Sequence, residues 1–336
     1  MKKFKRILLI LVLCLIAAFM IGPKPAEPVF TNTIPEIKAN IDEIETVIIS
    51  REQQEKLKPD NQARIMWAND TLREKTEYCL LYLHGFSGSW YESDPVHINF
   101  ARRYGCNAYF PRLHAHGLDN EEPLLDFDPE KLWESAKEAL SVARILGQKV
   151  IIMSTSTGGT LSLKLAAEFP DQVHSLIMFS PNIRLANKAS FILSGPWGLQ
   201  IGRLFFNGRY RITGTDFNSK ECQYWYCRYR VEGIVRLQQL LDATMNKETF
   251  ERVNVPVFAG YYYKDKENQD PTVRVSSILN MFGELGTPDD KKVGMAFPDA
   301  GAHVIGCELL SNCSGEVATA TFDFAEKVIG MTPIVK

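Results

Sequence analysis

Val150-Ile151-Ile152-Met153-Ser154-Thr155-Ser156-Thr157-Gly158-Gly159-Thr160 is an apolar, β-branched run that breaks off into a turn of small residues. A helix-like segment, Leu161 to Phe169, follows at once. β-Branched side chains suit a buried, pleated strand, and a tight turn into a helix needs residues with little or no side chain. The stretch reads as strand, sharp turn and helix, with Ser156 on the turn and its hydroxyl directed out of the sheet edge. The usual form of such a turn is Gly-x-Ser-x-Gly. Here Ser154 stands where the first glycine would be, giving Ser154-x-Ser156-x-Gly158. Serine is only slightly larger than glycine, so the pattern is altered rather than broken. A Ser/Thr/Gly turn also serves as a plain connection between strand and helix, and the rest of the chain has to decide between the two.

Before the turn, Asp128-Pro129 opens a helix with a capping carboxylate and a proline in its first turn. Leu132, Ala136, Ala139, Leu140 and Ala143 recur at helical spacing, and Gly147 closes the segment. Strands are expected at 63–67, 77–83, 107–110 and 148–153, then at 175–179, 256–263 and 292–297. Further helices are expected at 273–282 and 316–329. Strands alternating with helices predict an α/β class fold, a doubly wound, mostly parallel sheet with helices on both faces. The rhythm breaks between Asn182 and about Asn254, where aromatic and basic residues gather around a helical pattern from Val231 to Met245. Residues 182–254 are expected to form an inserted cap on a core of 61–181 and 255–332. Its aromatics, Trp197, Phe205, Phe206, Tyr210, Tyr224, Trp225, Tyr226 and Tyr229, fit either the cap's own core or a wall facing substrate. Its arginines, Arg203, Arg209, Arg211, Arg228, Arg230 and Arg236, fit either a solvated face or an attraction for an anionic ester.

The 336 residues suffice for one large α/β domain with an insertion or for two small domains. With 45% hydrophobic and 23% charged residues the chain has ordinary globular composition. A net charge of −2 provides no basic field, so nucleic acid is not an expected partner. Met1-Lys2-Lys3-Phe4-Lys5-Arg6 is basic, Ile7 to Ile21 is apolar, and Gly22-Pro23 ends the run. Residues 1–22 therefore read as a signal peptide or an uncleaved signal anchor, and the protein as exported: periplasmic, membrane-anchored or secreted. The run is shorter than the ~20 residues of a comfortable span, which favours a signal. No Ala-x-Ala site closes it, which favours an anchor, and membrane association through residues 7–21 follows if it is retained. Leu13 before Cys14 argues against lipidation. Residues 23–60 read as a linker and N-terminal extension, with Pro23 to Asn32 as a tether. Export permits disulfides: Cys222/Cys227 and Cys307/Cys313 are close enough in sequence to staple local loops. Cys79 and Cys106 suit buried free thiols, and connectivity stays open.

A serine hydroxyl needs a base within hydrogen-bond reach, and that base needs an orienting acid. On a doubly wound sheet the order is serine, acid, histidine, each beyond the carboxyl end of a strand. Ser156 supplies the first. His303 lies in Asp299-Ala300-Gly301-Ala302-His303, between the last strand and the last helix. The acid belongs after the strand at 256–263, where Asp265, Glu267 and Asp270 compete. Spacing favours Asp270, with Asp265 as the alternative, and Asp270-Pro271 could equally be a helix cap. Acyl transfer also needs donors for the developing oxyanion. The backbone N–H groups of Thr157, after the nucleophile, and Phe86, after His84-Gly85, are the candidates.

His84-Gly85-Phe86-Ser87-Gly88-Ser89, Leu113-His114-Ala115-His116-Gly117, the turn at Ser156, Ser180-Pro181-Asn182, Asp270-Pro271-Thr272-Val273 and Gly301-Ala302-His303 occur in the order seen in α/β-hydrolases. The chain resembles their monoglyceride lipase, lysophospholipase and carboxylesterase branch over roughly residues 60 to 332. The resemblance implies an α/β-hydrolase fold with an inserted cap. It also implies hydrolysis of small-molecule or lipid carboxylic esters, less often amides, without metal or organic cofactor. A peptidase or amidase on the same fold is one alternative. A non-catalytic binding protein is the other, supported by the replaced glycine at Ser154. His84 reads as structural. His114 and His116 could bind a metal as a His-x-His pair, but no third ligand stands at the required spacing and His116-Gly117 matches the family's structural loop. His97 and His174 read as surface or helix-end residues, and Ser154 as a strand residue pointing sideways into the sheet.

Overall fold

A seven-stranded sheet forms the centre of the computed structural model, which describes residues 2–334. Its strands are β1 (Arg64–Met66), β2 (Thr76–Leu83), β3 (Asn107–Phe110), β4 (Gly147–Thr155) and β5 (Ser175–Phe179), joined by two strands late in the chain. Between these groups β6 (Tyr210–Ile212) and β7 (Arg228–Arg230) pair as a separate antiparallel ribbon. The late strands are β8 (Val257–Tyr261) and β9 (Lys292–Ala296), and the order across the sheet is β1-β3-β2-β4-β5-β8-β9. Only the edge strand β1 runs antiparallel to its neighbour. This is the doubly wound, mostly parallel arrangement that the alternation of strands and helices predicts.

The helices are α1 (Lys2–Met20), α2 (Ile44–Glu52), α3 (Val96–Tyr104), α4 (Pro129–Leu146), α5 (Thr157–Glu168), α6 (Gly198–Phe205), α7 (Lys220–Tyr224), α8 (Val231–Thr244), α9 (Lys247–Glu251), α10 (Val275–Glu284) and α11 (Ser314–Phe324). Strand β4 divides two cores: Val150 and Ile152 face one, Ile151 and Met153 the other. That is the two-residue period of a strand buried on both faces. The apolar stripe of α4 supplies Leu132, Ala136, Ala139, Leu140 and Ala143 to the first core. Each leucine so buried contributes roughly 1.5–3 kcal/mol. The helix starts where expected because Asp128 accepts the Glu130 and Lys131 N–H groups. Helix α11 is shorter than its sequence pattern: it ends at Phe324 and continues as one π turn over 325–329.

Three expectations are corrected. Pro23 to Asn32 is not a free tether. Pro23 O accepts the Trp197 N–H (2.9 Å), Ala26 O accepts Gln239 Nε2 (2.8 Å), and Thr31 O accepts Trp133 Nε1 (2.8 Å). Lys137, whose side chain is fully buried, donates to Thr31 O, Thr31 Oγ1 and Thr33 O at 2.7–3.0 Å. An extended proline-rich segment offers unpaired carbonyls, and the donors of α4 and α8 hold it as a strap across the core. The same extension contains α2, which seats Ile44 and Ile48 in the core. His97 stands at a helix end, one of the two places expected for it, but not on the surface: it is buried in the first turn of α3, its Nδ1 is 2.7 Å from Ser93 O, and its ring packs on Tyr82 and Phe110.

Of the cysteines, Cys222 and Cys227 form a disulfide, whereas Cys307 and Cys313 are free, as are buried Cys79 and Cys106. Among the described residues no helix is long and apolar enough to cross a membrane.

Candidate active site

The sharp turn exists because three backbone hydrogen bonds and one from a side chain over-determine it. Ser156 has φ 55° and ψ −118°, a conformation that costs a non-glycine residue on the order of 1–3 kcal/mol. Its N–H donates to Phe179 O (3.0 Å), and its carbonyl accepts the N–H groups of Gly159 (2.8 Å) and Asn182 (2.9 Å). Thr160 Oγ1 then donates to Asn182 O at 2.6 Å, tying α5 to the end of β5. Gly158 is obligatory: a Cβ there would overlap the Leu83 carbonyl. Ser156 is thereby lifted off β4 and set at the N-terminus of α5, where backbone N–H groups and the helix dipole favour negative charge. Ser154 stays within β4, in register between Leu83 and Met178, and its buried hydroxyl has no partner among the described residues.

His303 and Asp270 meet across two loops. His303 Nδ1 is 2.7 Å from Asp270 Oδ2, with the ring N–H donating. The other carboxylate oxygen, Oδ1, accepts the N–H groups of Thr272 (2.8 Å) and Val273 (2.9 Å). Asp270 is 3% exposed. Burial alone would raise its pKa, but the charge and hydrogen bond of His303 and the two backbone N–H groups hold it below the usual carboxylate range. Burial alone would lower that of His303, but Asp270, by charge and hydrogen bond, and the charge of Glu92 raise it above the ordinary histidine value. Asp265 is exposed and lies outside this pair: its carboxylate accepts from Asn268 and from the Glu267 N–H within its own loop. His303 Nε2 is buried and, among the described residues, has no hydrogen-bond partner, Ser156 included.

The loop after β2 carries Phe86. Gly85 N–H donates to Glu92 Oε2, Ser87 N–H to His116 Nε2 (3.0 Å) and Gly88 N–H to Gly85 O (3.4 Å). The Phe86 N–H, like that of Thr157, has no acceptor among the described residues. Gly85 brings this loop against the turn, since a Cβ on it would lie 2.8 Å from Ser156 Cβ. His84 and His116 are scaffolding. His84 Nε2 accepts the Leu113 N–H (3.1 Å) and its Nδ1 faces Gly85 O (2.9 Å); burial lowers its pKa to about 4. His116 uses its second nitrogen on His114 O (2.8 Å), so both rings are occupied by backbone.

Glu92 is the site residue that the sequence does not reveal. It is 2% exposed beside the Phe86 loop, and Trp225 Nε1 donates to its Oε1 at 3.1 Å. Its signal is weak: an acid in the aromatic turn Trp90-Tyr91-Glu92 has no spacing that marks it.

The 182–254 stretch divides its aromatics between both readings. Tyr224, Tyr226 and Tyr229 are buried, and Tyr229 packs edge-on against Phe86. Phe205 and Phe206 line a cavity of about 280 Å³ with Leu193, Ile201 and Ile234, and Pro271, next to Asp270, closes one side of it. Three of the six arginines are already paired: Arg203 and Arg230 with Glu232, Arg230 also with Glu122, and Arg236 with Asp128. Arg228 lies over the Tyr210 ring, leaving Arg211 as the arginine that lines the cavity.

A sequence profile described as the alpha/beta hydrolase family matches residues 80–318. The human protein named serine hydrolase BPHL is 25% identical over 198 residues, which is 56% of this chain. The match spans 64% of that protein's length. Among solved structures, one from work on LipS and LipT, two metagenome-derived lipolytic enzymes, superposes with a TM-score of 0.64 at 18% identity, covering 81% of this chain and all of that one. A soluble variant of monoglyceride lipase from Saccharomyces cerevisiae gives 0.59 at 14% identity over 81% of this chain and 92% of its own. At such identities the structural likeness speaks for the fold.

Proposed function

The chain belongs to the alpha/beta hydrolase family, and we propose that it is a serine hydrolase that cleaves carboxylic esters through Ser156, His303 and Asp270. The observation that carries this reading is the His303–Asp270 pair, with a buried Nε2 that has no partner among the described residues on the side of the ring away from the acid. The Asp270 bond fixes the tautomer with the proton on Nδ1, so Nε2 is the basic nitrogen. Ser156 Oγ attacks the ester carbonyl carbon while its proton passes to Nε2. The carbonyl oxygen becomes an oxyanion, which the N–H groups of Phe86 and Thr157 stabilise. The carbon–oxygen bond to the leaving group breaks, and His303 returns the proton to the departing alcohol. Water then attacks the acyl-serine by the same route, with His303 taking its proton and giving it back to Ser156. The Ser156–His303 hydrogen bond forms as substrate enters, in keeping with catalytic bonds that tighten only in the complex.

The apolar cavity beside Pro271 suits an acyl chain or aryl group. Arg203, Arg230 and Arg236 are held in ion pairs, so Arg211, at the cavity, is the arginine that an anionic ester would meet.

Export also belongs to this reading. A basic start followed by the apolar, exposed face of α1 supports an N-terminal signal or membrane-surface anchor. Mass analysis of the mature protein's N-terminus checks it.

The activity is tested with p-nitrophenyl esters of increasing acyl length and matching anilides, wild type beside Ser156→Ala. Ester turnover abolished by the substitution is expected. Turnover of anilides alone would favour the amidase alternative, and turnover of neither by folded protein would favour a binding role.

A further inference from the structure

We propose that Glu92 is a positioning residue of this site, a carboxylate that fixes the loop presenting the Phe86 N–H and joins that loop to the insertion. The proposal rests on the serine-hydrolase reading and adds to it a residue outside the triad. Glu92 Oε2 takes the Gly85 N–H, so the loop cannot turn Gly85 toward Ser156 in place of Phe86. The fit is close: a Cβ on Gly88 would overlap the carboxylate, and one on Gly85 would lie 3.1 Å from each of its oxygens. A Cβ on Gly85 would touch Ser156 Cβ (2.8 Å) as well as the carboxylate, so Glu92 and Ser156 both face Gly85. With Gly85, Ser87 and Gly88 all committed to acceptors, the Phe86 N–H is left without one among the described residues.

The second oxygen faces the insertion. Trp225, which donates to Oε1, sits inside the loop closed by the Cys222–Cys227 disulfide. Lys58 Nζ secures that loop from below through Cys222 O (2.8 Å) and Trp225 O (2.7 Å). The neighbouring Tyr226 N–H donates to Ser87 O at 2.8 Å. Two adjacent residues of one stapled loop thus clip onto the Phe86 loop, one through Glu92 and one directly.

A buried carboxylate with no cationic partner is costly, and an apolar residue of similar size would be easier to accommodate. Burial pushes the Glu92 carboxyl up to about 7, against the Gly85 N–H, the charge of His303 and the Trp225 N–H, which lower it. The titratable groups that face it are His303, Tyr82 and Cys307. Burial raises Tyr82 far above its ordinary value and Cys307 to about 11, so both are neutral near pH 7. His303 is the group whose charge Glu92 governs: the ionised carboxylate favours the imidazolium that the reaction passes through.

The test measures kcat, KM and the acid limb of the pH profile for wild type, Glu92→Gln and Trp225→Phe with a p-nitrophenyl ester. Glutamine keeps the shape but presents an NH₂ group to one of the two donors and removes the charge. Glu92→Gln is expected to lower kcat roughly 10- to 100-fold with KM little changed, and to move the acid limb to lower pH. A residue that merely supported the fold would not move that limb. Trp225→Phe keeps the charge and loses one donor, so a smaller fall in kcat is expected, with the acid limb nearer wild type. Wild-type kcat and acid limb in folded Glu92→Gln would overturn the proposal. If that variant does not fold, wild-type kcat in Trp225→Phe would do so. A wild type that neither turns over ester nor reacts with a fluorophosphonate defeats the serine-hydrolase reading itself, a separate outcome.

Discussion

Asp270 presents its two carboxylate oxygens to different partners: Oδ2 meets His303 Nδ1 at 2.7 Å, while Oδ1 is held by the N–H groups of Thr272 and Val273. The backbone fixes the acid, and the acid fixes the imidazole. Asp270 does not cap α10, which begins at Val275 after Arg274; its Oδ1 instead closes the turn at 270–273, leaving Oδ2 for the histidine.

Asp270→Asn removes the charge and offers the wrong hydrogen-bonding group to Nδ1, which favours the unproductive tautomer. A fall in kcat on the order of 10,000-fold is expected, with substrate affinity retained. Asp265→Asn, in an exposed loop, is expected to leave kcat/KM within about threefold. Steady-state kinetics on one ester decide it, and the reverse ranking would reassign the acid.

The pH profile follows from the raised pKa of His303. The reaction needs the unprotonated ring, so a raised pKa means that activity is lost, as pH falls, at a higher pH than the ordinary histidine value of ~6.5 would give. Removing the Asp270 charge lowers that pKa, so the residual activity of Asp270→Asn is expected to have its acid limb at lower pH. An unmoved limb would mean that a different group controls it.

Gly158→Ala places a methyl group against the Leu83 carbonyl, a backbone atom that cannot rotate away. A destabilisation of roughly 1–3 kcal/mol is expected, with loss of activity, because the turn that carries Ser156 has to open. Thermal unfolding measures the first effect, and an unchanged midpoint would contradict the close packing described.

The strap is tested at Lys137, whose ammonium satisfies three oxygens of Thr31 and Thr33. Lys137→Met removes the buried donor of Thr31 Oγ1 and Thr33 O, leaving Thr31 O with Trp133 Nε1, and is expected to cost roughly 1–3 kcal/mol. Limited proteolysis is expected to cut faster within 23–41. An unaltered cleavage pattern would show that the remaining contacts suffice.

Much of this architecture was legible because its central strands are apolar runs bounded by turn residues. Asn107 to Phe110 and Ser175 to Phe179 match their sequence boundaries, and Asp128-Pro129 announces the start of α4. Helix α2 was not legible: Ile44-Glu45-Thr46-Val47-Ile48 is rich in β-branched residues, and tertiary packing of Ile44 and Ile48 overrides that preference. The strap was misread because proline-rich composition describes an extended backbone but not what will bind its carbonyls. The surface reading of His97 failed because its polarity suggested solvent, whereas a carbonyl from the preceding turn engages its Nδ1 inside the core. Within the candidate site, order and spacing pointed to Ser156 and His303 and favoured Asp270 over Asp265, and the contact of Asp270 with His303 supports that preference. Glu92 joins a nearby partner, the Gly85 N–H, to a distant one, Trp225, and neither contact leaves a spacing in the sequence that marks it.

The most direct measurement is reaction with a fluorophosphonate probe followed by peptide mapping, wild type beside Ser156→Ala. One adduct, on Ser156, absent from the variant and slowed in Asp270→Asn, is the expected result. Folded wild type that stays unlabelled, or carries its adduct on Ser154 or elsewhere, would contradict the assignment of Ser156 as an activated nucleophile.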